Sequence, residues 1–375
     1  MHKRILVAGI CLLVLGLISF LPFPFHSESQ GNGYDNAVVT KVHHAQGQTD
    51  TVTIVLKSGP DHGKTAEATI GALTTSVDIT PPSYKPGDKV IVNHGAVIAG
   101  EPSYVIIDQF RLPLAAWLLA LVIALAIVFA GWRGIGSVAG LLLSLFIVGK
   151  FVIPAVLSGH NPYVVTGLGI VVISLLGIFL AHGFKKRTAL ALAGTYITLL
   201  VAVGFSFLVV SGLHLTGISN EDIFYLGNKL PGLPIHGLLL CGMLLSIVGI
   251  LDDMTVGQAT SVEELHKANP SLGFRELYSR SLMIGREHIA SLINTLILAF
   301  VGTSFLYIIY ISATTPYPLL VNLNSEQVME EIARSLVGSV ALILAVPITT
   351  LLAARFLRTE QEIPAPAHKK TTRHK

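Results

Sequence analysis

The chain has 375 residues, 52% of them hydrophobic and 13% charged, with a mean hydropathy of +0.68. Those values exclude a soluble globular protein and require several membrane spans. The net charge is only +3, which gives no sign of nucleic-acid binding, so the lipid bilayer is the expected partner.

The first element is a basic cluster, His2, Lys3 and Arg4, followed by an apolar run at about 5–21. It resembles a signal peptide. Only Pro22-Phe23-Pro24-Phe25 follows, with no small-x-small cleavage site, so residues 1–21 read as an uncleaved signal-anchor helix. Residues 22–111 are the only sizeable soluble part. After a Ser/Gln/Gly/Asn linker at 27–33, Ala37–Val42, Thr51–Leu56, Ala66–Ile70, Lys89–Asn93 and Tyr104–Ile107 read as short strands. Gly59-Pro60, Pro81-Pro82 and Pro86-Gly87-Asp88 supply the turns. About five short strands in this length predict a small β-barrel of the OB or SH3-like kind, whose closure would hide the sheet edges. Gly59-Pro60-Asp61-His62-Gly63-Lys64-Thr65 imitates a phosphate-binding loop. It has one residue too few between the glycines and no following helix, so it reads as a hairpin turn.

From residue 112 the chain becomes a seven-helix membrane unit, 112–353. Runs of about 20 apolar residues cross a hydrocarbon core of roughly 30 Å as helix. With the first run, eight spans are expected: about 5–21, 112–130, 135–157, 163–183, 188–212, 235–262, 288–311 and 333–353. Frequent glycines, among them Gly136, Gly140, Gly177 and Gly194, let helix backbones approach closely. Pro154 and Pro347 predict kinks. Between spans six and seven, a cytoplasmic stretch at about 263–287 continues the sixth helix to Asn269-Pro270. Gly273–Arg280 then reads as an amphipathic surface helix suited to an anionic leaflet. Residues 354–375 form a basic, Pro-containing tail, expected to be disordered. Cys11 and Cys241 both fall in apolar spans and read as packing residues. No disulfide framework, metal site or cofactor is expected.

Lys and Arg set the orientation. With the N-terminus inside, the inner segments hold sixteen of them, whereas the short outer loops 158–162, 213–234 and 312–332 hold only Lys229. Both termini are therefore expected in the cytoplasm and residues 22–111 outside the cell membrane.

The charges inside the spans carry the functional signal. Asp252 and Asp253 lie in a run otherwise nearly free of charge, from Leu230 to Val262. An ionised group near the bilayer centre costs at least ~2.5–3.5 kcal/mol, so such residues face a bundle interior or a wet path. Adjacent helical residues point about 100° apart, so one carboxylate can face a cavity while the other reaches a neighbouring helix. Low dielectric and mutual repulsion disfavour carrying both charges at once, which suits a group that loads and unloads a proton. Lys150, well inside span three, is the natural counter-ion. Ser291, Asn294 and Thr295 give span seven a polar face that could meet the pair. The plainer alternatives are an Asp pair marking the cytoplasmic exit, a Lys150 that snorkels, and ordinary interhelical hydrogen bonds from span seven. His182 and His236, near span ends, read as interface residues, and Arg334 sits at the outer start of span eight.

No enzyme signature appears. Arg286-Glu287-His288 lacks the first histidine of a zinc-protease motif, and there is no Gly-x-Ser-x-Gly elbow. The chain is expected not to be an enzyme.

The order of elements, with Tyr84-Lys85-Pro86-Gly87-Asp88-Lys89-Val90, Asp108-Gln109-Phe110-Arg111 and Gly249-Ile250-Leu251-Asp252-Asp253-Met254-Thr255-Val256, resembles the YibE/F family of bacterial membrane proteins. So do Gln258-Ala259 and Glu263-Glu264-Leu265. The resemblance covers nearly the whole chain and implies a class, with no chemistry attached. Gly249–Leu265, Arg280-Ser281 and Asn294-Thr295-Leu296 are locally similar to one repeat of proton-driven RND exporters and SecDF, which implies a proton-relaying acidic pair. This chain departs from that pattern in lacking a large outer domain after span three. Its candidate lysine also lies in that span, whereas theirs comes from the other repeat. Two readings result. One is a transport-type protein coupled to protons or cations through Asp252 and Asp253. The other is a non-transporting scaffold or accessory protein whose outer β domain binds an extracytoplasmic partner. Either accommodates a membrane-protein partner or a homo-oligomer.

Overall fold

Alternation of buried and half-exposed residues along Thr51–Leu56 places Val52, Ile54 and Leu56 on one face of a strand, all fully buried. That face closes a small barrel in the computed structural model, which describes residues 33–43, 51–59, 61–70, 84–98, 101–230 and 232–357. The signal-anchor helix at 5–21 and the tail beyond 357 lie outside the described residues. Five strands, β1 (Gly33–His43), β2 (Thr51–Leu56), β3 (Thr65–Ile70), β4 (Lys89–Ile98) and β5 (Glu101–Gln109), close in the order β1-β2-β3-β5-β4. β1 pairs antiparallel with both β2 and β4, and β3 pairs parallel with β5. This is the OB arrangement, the first of the two kinds the sequence suggested, and its closure leaves no free edge. The phosphate-loop imitation is a β2–β3 hairpin turn: Gly63 donates to the Leu56 carbonyl at 2.9 Å. Gly59 there has φ +81°, and a Cβ on it would run into the Asp35 carboxylate, so both backbone and neighbour require glycine.

Two compact units divide the chain at Gly131/Trp132. The first holds the barrel and α1 (Leu112–Ala130), whose bounds match the second expected span. In the second unit the elements run α2 (Trp132–Ile147), a π-turn (Val148–Val152), α3 (Ile153–Leu157), α4 (Pro162–His182), α5 (Lys186–Gly212), α6 (Glu221–Lys229), α7 (Ile235–Ala268), α8 (Phe274–Thr314), α9 (Leu319–Leu323) and α10 (Glu326–Leu357). With α1, seven helical segments among the described residues are long and apolar enough to cross a membrane.

Pro154 explains the π-turn. Its missing N–H and its ring act on the carbonyl four residues back, that of Lys150, and the helix widens there and continues. α10 is the central helix, packed on α5, α7 and α8, while α2 pairs with α4 and α4 leans on α7. Small residues permit these approaches: a Cβ on Gly194 of α5 would overlap Thr349 of α10.

One expected boundary is absent. Gly273–Arg280 is not a separate surface helix. Phe274–Thr314 is one helix of 41 residues. Leu277, Ser281 and Gly285 are buried along one stripe, and Gly285 sits against Val346 of α10, so packing carries the helix straight through the amphipathic segment. At ~1.5 Å per residue α8 is roughly 60 Å long, about twice a hydrocarbon core. α10 likewise begins at Glu326, earlier than the expected 333.

Candidate functional site

α7 carries the aspartate pair, and its neighbours fix the depth. α4 runs parallel to it: Gly237 packs on the Tyr163 ring, Cys241 on Thr166, and Asp252 lies beside the Ser174 hydroxyl. Ser174 is the thirteenth of the 21 residues of α4, ~18 Å from one end and ~12 Å from the other. Thr195, also beside Asp252, is the tenth residue of the 27-residue α5. Asp252 therefore lies well inside the bundle, nearer its Arg187–Glu263 end, ~12 Å from the end of α4. The pair does not mark the end of the packed helix, because Met254, Thr255, Val256, Gln258, Ala259 and Val262 beyond it are all buried.

The two carboxylates divide their surroundings as adjacent helical residues must. Asp252 is half-buried; its Oδ1 is buried with no donor in good hydrogen-bond geometry, while the Thr195 and Ser174 hydroxyls interact with the carboxylate. The Ser174 Oγ next to it is likewise buried. The Thr195 hydroxyl meets that of Thr255 at 2.8 Å, and Thr255 donates to the Asp252 backbone carbonyl at 3.3 Å. Asp253 is exposed and interacts with His182. Arg133 and Arg187 add positive charge around that histidine. Arg187 is buried and bonded to Glu263 at 2.5 Å, and Lys267 reaches the same carboxylate at 3.1 Å.

Both aspartates line a groove of about 560 Å³ between α2, α4 and α7. Its polar lining is Ser137 and Ser144 from α2, His182 from α4, and Ser246, Asp252 and Asp253 from α7. Gly140 of α2 and Gly177 of α4 meet at the groove, where a Cβ on Gly140 would stand 3.3 Å from the Gly177 Cα. A buried acceptor without a donor in a partly polar groove can take up a proton, accept from a hydroxyl, or bind a small cation. Among the described residues no group of three or more His, Cys, Asp and Glu is placed to hold a metal ion.

The other expected participants are placed elsewhere. Lys150 lies in the π-turn, exposed, outside the groove lining and without an ion pair among the described residues, so it is not the counter-ion of the pair in this structure. Ser291, Asn294 and Thr295 are exposed on α8 and do not meet the pair. Thr295 donates to the Ser291 carbonyl of its own helix at 3.0 Å. His236 is in the first turn of α7, remote from Asp252. His182 is a groove residue.

The residues sequence reasoning passed over are the hydroxyls. Ser137 and Ser144, seven apart, mark one face of α2, a signal that was available in the spacing. Arg334 reaches from α10 to Ser246 on the groove wall, its Nη1 donating to Oγ at 3.4 Å.

Fold and site define a polytopic helical membrane protein with a small five-stranded barrel and a carboxylate pair within its helical unit. The family model for YibE/F-like proteins matches residues 118–359, and the chain belongs to that family. No curated protein and no solved structure matches it. The local likeness to exporter repeats thus rests on residues and helix order alone.

Proposed function

We propose that this protein is a proton-coupled transport protein of the cell membrane in which Asp252 and Asp253 load and release the proton, without enzymatic chemistry. The observation that carries this reading is the position of Asp252: inside the helical bundle, on a mainly apolar groove with a few polar side chains, with one carboxylate oxygen buried away from any well-placed donor. Exposed Asp253 and half-buried His182 extend the polar lining from Asp252 towards the Arg187–Glu263 end. The ionisable residue that interacts with Asp253 is His182, and not Lys150. The Lys and Arg distribution supports placing the Arg187–Glu263 end in the cytoplasm and the barrel outside.

The test is proton flux. Full-length protein in vesicles loaded with a pH-sensitive dye, driven by an imposed potassium–valinomycin potential, should conduct protons above empty vesicles. Asp252→Asn with Asp253→Asn should abolish that flux at near-normal membrane abundance, since Asn keeps the shape but cannot carry a proton. A double variant that conducts like wild type would refute the relay and favour the scaffold reading. Greater damage to folding from Asp→Ala than from Asp→Asn would mark the pair as structural.

A further inference from the structure

α10 begins with a ladder of side chains four residues apart: Glu326, Glu330 and Arg334. Such residues share a helix face, each step advancing ~6 Å along the axis. Glu326 is explained by its contacts. Its Oε1 accepts from the Thr216 amide at 2.5 Å, the Thr216 hydroxyl at 2.8 Å and the Gly217 amide at 2.9 Å, tying α10 to the loop after α5.

Glu330, one turn deeper, is not explained in this way. It is 7% exposed, and its Oε1 is buried with no hydrogen-bond partner. The groups facing it are the Ser219 hydroxyl from the loop and, on its own helix, Glu326, Glu331 and Arg334. Arg334 does not neutralise it by a direct pair. Its Nε stands 3.6 Å from the Glu331 carboxylate, and its Nη1 crosses to Ser246 of α7. Ser246 lines the groove that holds the aspartates, and Asp252 is six residues further, ~9 Å along α7. Ser219 thus supports this buried carboxylate from the loop, one of its oxygens is left without a partner, and the arginine beside it is directed at the groove wall.

We propose that Glu330 is a second proton-carrying group, the outer leg of the path to Asp252, and that Arg334 is a positioning residue between them. The inference rests on the reading of the aspartate pair as a proton relay. A proton from the solution at the 213–220 end forms an O–H bond on the Glu330 carboxylate. It leaves towards Ser246 on the groove wall, whose hydroxyl, donating to the Gly242 carbonyl at 2.9 Å, turns from that carbonyl to give up its own proton as it accepts one, and a proton ends on the Asp252 carboxylate. Glu330 returns to its ionised form. Arg334 keeps its charge throughout and holds Ser246 at the mouth of this step.

The same dye-loaded vesicles separate the possibilities, with full-length Glu330→Gln, Glu330→Asp and Asp252→Asn. Gln keeps the length and hydrogen bonding of Glu but carries no proton, so a relay predicts that Glu330→Gln lowers flux on the order of tenfold or more while Glu330→Asp keeps much of it. A structural role predicts the reverse order, because Asp is shorter and Gln is nearly isosteric. Wild-type flux in Glu330→Gln alongside a dead Asp252→Asn overturns this inference and leaves the relay standing. Wild-type flux in Asp252→Asn, or no wild-type flux above empty vesicles, overturns the relay and the inference with it. If Glu330→Gln fails to insert, Arg334→Gln replaces it. The expected result is slowed flux with a shifted pH profile, and an unchanged rate and profile would count against the proposal.

Discussion

Replacing Gly136 by valine should separate α2 from α4 and distort the groove between them. A Cβ at Gly136 would stand 2.8 Å from the Leu180 carbonyl carbon and 3.1 Å from the Ala181 Cα, and closer still to the Leu180 oxygen. Carbon pairs rest at about 3.5–4.0 Å, and the obstacle is backbone, which cannot turn aside. The helices must therefore part by about 1 Å at this level, before the two further methyls of valine are placed. Overpacking of this kind costs typically ~1–3 kcal/mol. Valine recovers only a few tenths of a kcal/mol in helix propensity over glycine. A net loss of about 2 kcal/mol should lower the midpoint of thermal unfolding in detergent by roughly 4 °C or more. Gly167→Val on α4 is the matched control, because Gly167 is exposed and its Cβ would meet nothing within 4 Å. Ser137 and Gly140 line the groove beside Gly136, so Gly136→Val should also slow proton flux. Equal midpoints for the two variants would refute the close-approach argument.

In the barrel, burial and the hydrogen bond donated to Asp61 push the Tyr104 phenol up to about 12. A phenol held above its unfolded value of about 10 contributes stability that is intact below that pH and lost as pH rises towards 12. Ultraviolet titration against Tyr104→Phe should show one late-titrating tyrosine that returns towards its ordinary value in Asp61→Asn. In the helical unit, removing a buried ion-pair partner costs ~3–5 kcal/mol, which Lys267 should reduce to about 1–3 for Arg187→Gln. The double variant Arg187→Gln with Glu263→Gln should lose less than the sum of the single losses in the same detergent assay; strict additivity would deny the pair any coupling. For topology, Lys64→Cys and Ser271→Cys, with Cys11 and Cys241 replaced by alanine, should label from opposite sides with an impermeant thiol reagent. Labelling of both from outside would contradict the orientation.

Much of the fold was legible because period and hydropathy are local. β2 alternates cleanly, and all five strands appeared where their apolar residues alternate. Their ends ran longer than expected because ladder hydrogen bonds extend into Gly33–Asn36 and past Asn93, where composition gives no signal. Span boundaries failed where packing outweighs apolarity. Ser281 and Gly285 look like a linker, yet they are the contact residues of α8, and Glu326–Ile332 look like a loop although they are the first turns of α10. In the site, the aspartates announced themselves by being charged in an apolar run. Their surroundings were less plain: the Ser137 and Ser144 spacing marks a face of span three, but nothing in the sequence says that this face meets the aspartates. Pro154 adds a π-turn at Lys150 that changes the local phase of the helix. Ser174 and Thr195 join Asp252 from two other helices, and nothing in their own segments marks them.

The most direct test of the relay separates the two aspartates. On the proposed relay, Asp252, with an oxygen buried inside the bundle, would be the group through which every proton passes, whereas exposed Asp253 would assist it. In dye-loaded vesicles under one imposed potential, Asp252→Asn alone is predicted to bring proton flux to the level of empty vesicles, and Asp253→Asn alone to leave a reduced but measurable rate. Flux in Asp252→Asn equal to wild type would contradict the account.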